Sequence, residues 1–152
     1  MYYVNGTTAA TLATDQHVIA EIWNPSATRA IQLVEVQVVC FAAPGAGAGF
    51  LIRRSSTRGT AGSTVTPAAV HHHRNLAVPD SGFLLDLAAF SAQPTLTAGD
   101  LGGWVVAAVA ASGIVLPIPR GIEIPPGQGL CLVNRAAIAF PTSEVNVVVE
   151  EL

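Results

Sequence analysis

Between Ile31 and Phe41 the chain places Val34, Val36, Val38 and Cys40 at every second position, with Glu35 and Gln37 between them. Successive side chains of a strand leave on opposite faces, so this spacing predicts a long strand with one dry and one wet face. The rest of the sequence repeats that constraint in shorter pieces. Apolar residues recur every second position or in short blocks, and Gly, Pro, Asn or Ser interrupts them too often for helices.

Candidate strands run from Val18 to Trp23, Ile31 to Phe41, Phe50 to Ser55, Phe83 to Leu87, Trp104 to Ala111, Leu130 to Asn134 and Val145 to Glu150. Asn24-Pro25-Ser26, Pro44 to Gly49, Gly59 to Pro67, Pro94 to Gly99 and Pro125-Pro126-Gly127 separate them with turn chemistry. Val145, Val147 and Val149 alternate with Asn146, Val148 and Glu150, so the chain finishes inside a sheet. The only helical turn the pattern permits is Asp86 to Phe90. Asn5-Gly6 reads as a turn, and Asn5-Gly6-Thr7 matches a glycosylation acceptor only in its three letters. Seven or more strands in 152 residues predict one all-β domain over 1–152, a two-sheet antiparallel sandwich, with a jelly-roll order preferred to an immunoglobulin-like one.

Charge sets the next bound. Of the 152 residues 51% are hydrophobic and 11% charged, and every basic residue is Arg. Ordinary soluble domains carry roughly 25% charged residues. A chain this short of solvating groups is expected to have part of its surface covered by other chains. The net charge of -3 argues against a surface built to bind nucleic acid, since only Arg53, Arg54 and Arg58 cluster and no aromatic residue interleaves them. Leu101 to Pro119 holds 19 uncharged residues, enough to span a bilayer, but Gly102, Gly103, Gly113, Pro117 and Pro119 split it into strand-length pieces. No membrane partner is expected. Met1 to Gly6 lacks the basic region and apolar core of a secretion signal, which points to synthesis and folding in a cytoplasm.

Three histidines in a row, His71-His72-His73, are the most conspicuous chemical feature. In extended chain His71 and His73 face the same way, the geometry with which a cupin-type jelly roll presents two metal ligands. The accompanying carboxylate is missing, because Arg74-Asn75-Leu76-Ala77-Val78 follows, and Leu130 stands where a second motif would need its His. No catalytic residue, metal site or cofactor is therefore expected. The histidines read as a surface or interface cluster, with an inter-subunit metal or pH-sensitive contact as the other reading. Cys40 and Cys131 lie in apolar runs; a bridge between facing sheets and two buried thiols both fit, the second better without export. Asp80, Asp86 and Asp100 have no evident partner. Trp23 and Trp104 are expected in the core.

Arg53-Arg54-Ser55-Ser56-Thr57-Arg58-Gly59-Thr60 fits two readings equally, a solvated loop or a grip on an acidic partner by bidentate arginines. Pro44-Gly45-Ala46-Gly47-Ala48-Gly49 is too flexible to pack by itself and is either mobile or ordered by a neighbour.

The order Ile22-Trp23-Asn24-Pro25, Ile31-Gln32-Leu33-Val34-Glu35-Val36, Arg54-Ser55-Ser56-Thr57-Arg58-Gly59-Thr60-Ala61-Gly62-Ser63-Thr64-Val65-Thr66-Pro67 and Gly121-Ile122-Glu123-Ile124-Pro125-Pro126-Gly127-Gln128-Gly129-Leu130 resembles small virion proteins of tailed bacteriophages. It is similar to the β-sandwich proteins that decorate and stabilise phage heads. The resemblance implies a non-enzymatic protein on the capsid surface, in symmetric oligomers that are often trimers, touching the major capsid protein through loops and terminal arms. The segments expected to make contact are Arg53, Arg54 and Arg58, the Gly45, Gly47 and Gly49 loop, and His71 with His73. Another phage component, of tail or fibre, and a trimeric sandwich binding glycans or a cell surface are the alternative readings. A jelly-roll enzyme is the third.

Overall fold

A computed structural model describes residues 1–11, 16–67 and 79–152. Eleven strands are present among them: β1 (Tyr2–Thr8), β2 (Val18–Asn24), β3 (Ile31–Cys40), β4 (Gly49–Thr57), β5 (Ser63–Val65), β6 (Leu84–Leu87), β7 (Thr95–Leu96), β8 (Gly102–Val105), β9 (Gly113–Ile124), β10 (Gln128–Asn134) and β11 (Ser143–Glu151). They form two antiparallel sheets packed face to face. The smaller has the order β1-β11-β3-β9; the larger runs β5-β6-β2-β10-β4-β7, with β8 beside β4 along the same edge as β7.

The pairing is nested. β1 pairs with β11, β2 with β10, β3 with β9 and β4 with β8, all antiparallel, so the chain is one long folded-back ribbon wound into two layers. This is the jelly-roll order. Residues 58–101, between β4 and β8, carry the addition to that plan: β5 and β6 extend the large sheet beyond β2, and β7 pairs with the end of β4.

Between the sheets lies a core of Ile19, Ile22, Leu33, Val36, Val38, Phe50, Ile52, Leu85, Leu130, Phe140, Val145 and Val147 with their neighbours, all buried. Trp104, half-buried, tilts against Phe50 with ring centroids 5.7 Å apart. Trp23 is also only half-buried. The long edge strand β9 holds Pro117 and Pro119, which cannot donate to a neighbouring strand and so blunt that edge.

Several expectations are corrected. The β3 alternation breaks at Val34: a register shift between Leu33 and Glu35 keeps Ile31 and Leu33 on the dry face with Val36, Val38 and Cys40, and leaves Val34 half-buried. Trp104 to Ala111 is not one strand, since β8 ends at Val105 and 106–112 form a loop. Asp86 and Leu87 belong to β6 and not to a helical turn. Asn5-Gly6 is strand, not turn; a Cβ on Gly6 would lie 2.4 Å from Leu87 Cδ1, so glycine lets β1 close against β6. No helix of the described residues is long and apolar enough to cross a membrane.

Candidate functional site

The outer face of the large sheet carries a second, smaller apolar cluster of Val18, Ala88, Phe90, Cys131 and Val133. A sheet face that would otherwise meet water is covered by two segments of the 58–101 excursion. They are tied together where Thr60 N donates to Ala92 O at 2.8 Å and Ser91 N to Thr60 O at 2.9 Å.

Under this cover sit two carboxylates. Glu21 on β2 and Asp86 on β6 are register partners, and both are fully buried. Glu21 Oε1 accepts from Ser55 Oγ at 2.5 Å and Oε2 from Gly59 N at 2.9 Å. Ser55 belongs to β4, two strands away from β2, so the first bond passes over β10 at Gly129. A Cβ there would lie 2.4 Å from Ser55 Oγ and 2.9 Å from Glu21 Oε1, and only glycine leaves the path open. Asp86 takes a bidentate pair from Arg58, Nε at 2.7 Å and Nη2 at 2.8 Å, and a further bond from Thr64 Oγ1.

Burial pushes the Glu21 carboxyl above the ordinary glutamate value; the Ser55 and Gly59 bonds work against that shift, and the Asp86 charge adds to it. Cys131, opposite Glu21 in the register, is pushed well up by burial and then by the Glu21 charge. A thiol held in its protonated form and covered by Phe90 and its neighbours is a poor nucleophile. The Asp86 hydrogen bonds raise the Arg58 pKa despite its partial burial. The Arg58 and Gly59 bonds join the strap that follows β4 to the sheet, and the Ser55 and Thr64 bonds tie its strands to one another. It is a clasp.

The arginines predicted to grip a partner have partners within the chain. Arg58 holds Asp86, Arg53 bonds Asp100 and, at 2.8 Å, Gln16 Oε1, and Arg54 Nη1 donates to Glu123 O at 2.7 Å. Asp80, Asp86 and Asp100, without evident partners in the sequence, pair with Arg29, Arg58 and Arg53. An open cleft of about 490 Å³ lies against β4 and β8, lined by Leu51, Asp100, Leu101, Gly102, Gly103 and Arg135. Its one carboxylate is the Asp100 already bound to Arg53. Cys40 faces the core between the sheets and Cys131 the cluster outside, so both are free buried thiols on opposite sides of the large sheet. His71 and His73 lie outside the described residues. Among the described residues no three His, Cys, Asp or Glu side chains gather as a metal site.

The remaining candidate is one end of the sandwich. Loops 41–48, 106–112 and 135–142 meet there, and the first contains Gly45 and Gly47, with Gly49 opening β4 behind it. Cys40 N donates to Ser112 O, Phe41 N to Thr142 O, Val106 N to Ala48 O and Arg135 N to Gly49 O, all within 3.1 Å. The 23 residues of these loops carry one charge, Arg135. At the opposite end, Arg29 pairs with Asp80 at 3.1 Å, while Glu151 accepts from Ser81 N and Tyr2 Oη. Although burial favours its protonated form, the Ser81 and Tyr2 bonds outweigh this and hold the Glu151 carboxyl below the ordinary value. Arg120, Glu123 and Glu150 lie toward the same end, on the strand halves that face it. Among the described residues, three loops rich in Ala at one end carry a single charge, with Glu144 just beyond them on β11, while ion pairs gather at the other end. Composition shows the shortage of charge; the meeting of three nearly uncharged loops is invisible in it because they are far apart in sequence.

No family model matches the chain, and no curated protein matches its sequence.

Proposed function

We propose that this chain is a non-enzymatic structural protein of a bacteriophage particle, a jelly roll that binds the capsid lattice as a homo-oligomer and staples neighbouring capsid subunits. The observation that carries the reading is the separation of charge. A subunit of an oligomer carried on a particle needs one surface that tolerates loss of water and another that keeps the assembly soluble, and the alanine-rich loops and the ionic end answer those two needs. The buried ionic groups support it from another side, since Glu21, Asp86 and Arg58 are consumed in holding a strap to the sheet. Capsid decoration in particular rests on the resemblance of the sequence to head-decorating sandwiches. Its mechanism is added interface: a contact of about 1,600 Å² is a normal stable one, and repetition over a lattice multiplies its effect.

The test adds purified protein to empty heads that lack it. Saturable binding with a rise in the heads' unfolding temperature is expected. Protein that ignores such heads and is absent from intact particles overturns the reading.

A further inference from the structure

We infer that the alanine-rich end, formed by loops 41–48, 106–112 and 135–142, is the surface through which copies of this chain associate with one another. The inference rests on the assembly reading above and names the partner for one end of the molecule.

Large apolar side chains are exposed there. Phe41 and Val109 in the loops are 52% and 63% exposed, and Val105, the last residue of β8, is 52% exposed beside them. Their neighbours are Ala42, Ala43, Ala46, Ala107, Ala108, Ala110, Ala137 and Ala139, also exposed, whose small side chains let two backbones approach closely.

Charge selects the occupant. The only charge in these loops is Arg135 at the margin, so a charged partner would have to bury its own groups without counter-ions, at a cost of several kcal/mol each. A second copy brings the same uncharged surface and meets no repulsion. The size lies near the lower bound of a stable interface, roughly 20 residues on each side, since 19 residues of the three loops reach the surface, Pro44, Ala48, Val106 and Phe140 being buried. Closed symmetry lets the patch bury its equivalents on sister chains, while the ionic end, with Arg29, Asp80 and Glu151, stays in water.

Sedimentation velocity on the full chain across the micromolar range tests this, with Val109→Glu and Ala46→Glu in the loops and Thr28→Glu at the ionic end as control. All three positions are exposed, and the parent's far-ultraviolet circular dichroism spectrum with a cooperative thermal transition establishes that each variant folds. Introduced like charges that meet across an interface should weaken association by about a hundredfold, so the two loop variants should sediment as monomers. The parent and Thr28→Glu should sediment as oligomers. A parent that is monomeric throughout, folded loop variants that both remain oligomeric, or dissociation caused only by Thr28→Glu would overturn the inference. Head binding by the same proteins separates the two claims. Monomeric parent protein that still coats heads defeats self-association alone, whereas an oligomer dispersed by the loop variants that never binds heads defeats the capsid reading alone.

Discussion

Glu21 and Asp86 stand opposite each other on neighbouring antiparallel strands, two carboxylates in register with neither side chain exposed. Such a pair survives only because each has its own donors: Ser55 and Gly59 for Glu21, Arg58 and Thr64 for Asp86. Arg58 and Gly59 lie just beyond β4, in the strap that covers the sheet, whereas Ser55 and Thr64 belong to β4 and β5. The carboxylates therefore fix where that strap lies.

Removing the cation exposes the cost. Arg58→Ala leaves Asp86 buried without its bidentate partner, and should cost about 2–3 kcal/mol, below the ~3–5 of a fully buried pair because 39% of the Arg58 side chain is exposed. For a domain of this size that lowers Tm by about 4–12 °C. Replacing both partners, as in Arg58→Met with Asp86→Leu, should recover most of the loss in chemical denaturation. A double variant as unstable as the sum of its singles would contradict this account of the pair.

Stability should carry the signature of Glu21. Below the ordinary value of 4.5 the carboxyl is protonated whether the chain is folded or not, and it contributes no pH dependence. As pH rises, the unfolded chain ionises first while the folded one still holds its proton, so stability falls until pH passes the raised folded value and then levels off. Measured by urea unfolding between about pH 4 and 8, the parent should lose stability relative to Glu21→Gln as pH rises. A relative gain with rising pH would mean that the Ser55 and Gly59 bonds outweigh burial.

Gly129 should be intolerant for a reason unrelated to turns. Its alanine variant places a methyl between Ser55 Oγ and Glu21 Oε1, breaking a bond between buried groups at about 1–3 kcal/mol. Ser55→Ala breaks the same bond, so the double variant should lose less than the two singles summed. Strict additivity in denaturation would show that Gly129 acts through something else.

How far the sequence reveals this molecule depends on how local each cause is. β3 and β11 are legible because alternation with polar residues is a property of neighbours in the chain. Asn5-Gly6 hides β1, because its glycine answers to Leu87, far along the chain, and not to a turn. The 104–111 run has the apolar composition of a strand, yet Ala107 to Ala111 are exposed. The clasp is the least legible part. Glu21, Ser55, Arg58, Asp86 and Gly129 converge only through register, and no spacing in sequence encodes which residue faces which across a sheet.

The two cysteines should be silent in the native protein. Cys40 is sealed in the inter-sheet core and Cys131 under Phe90, with its pKa pushed well up, so a thiol reagent should titrate neither until denaturant is added, and then both. Rapid labelling of Cys131 in the native state would show that the cover over Glu21 opens, and the clasp would not be the constraint described.

Hydrogen exchange on the assembled protein tests the central claim most directly, because it reports which end is covered. Raising the concentration from the monomer to the oligomer range should slow exchange in 41–48, 106–112 and 135–142 and leave the turns at 24–30 and 79–82 unchanged. Protection that appears at the ionic turns, or no dependence on concentration at either end, would contradict the account.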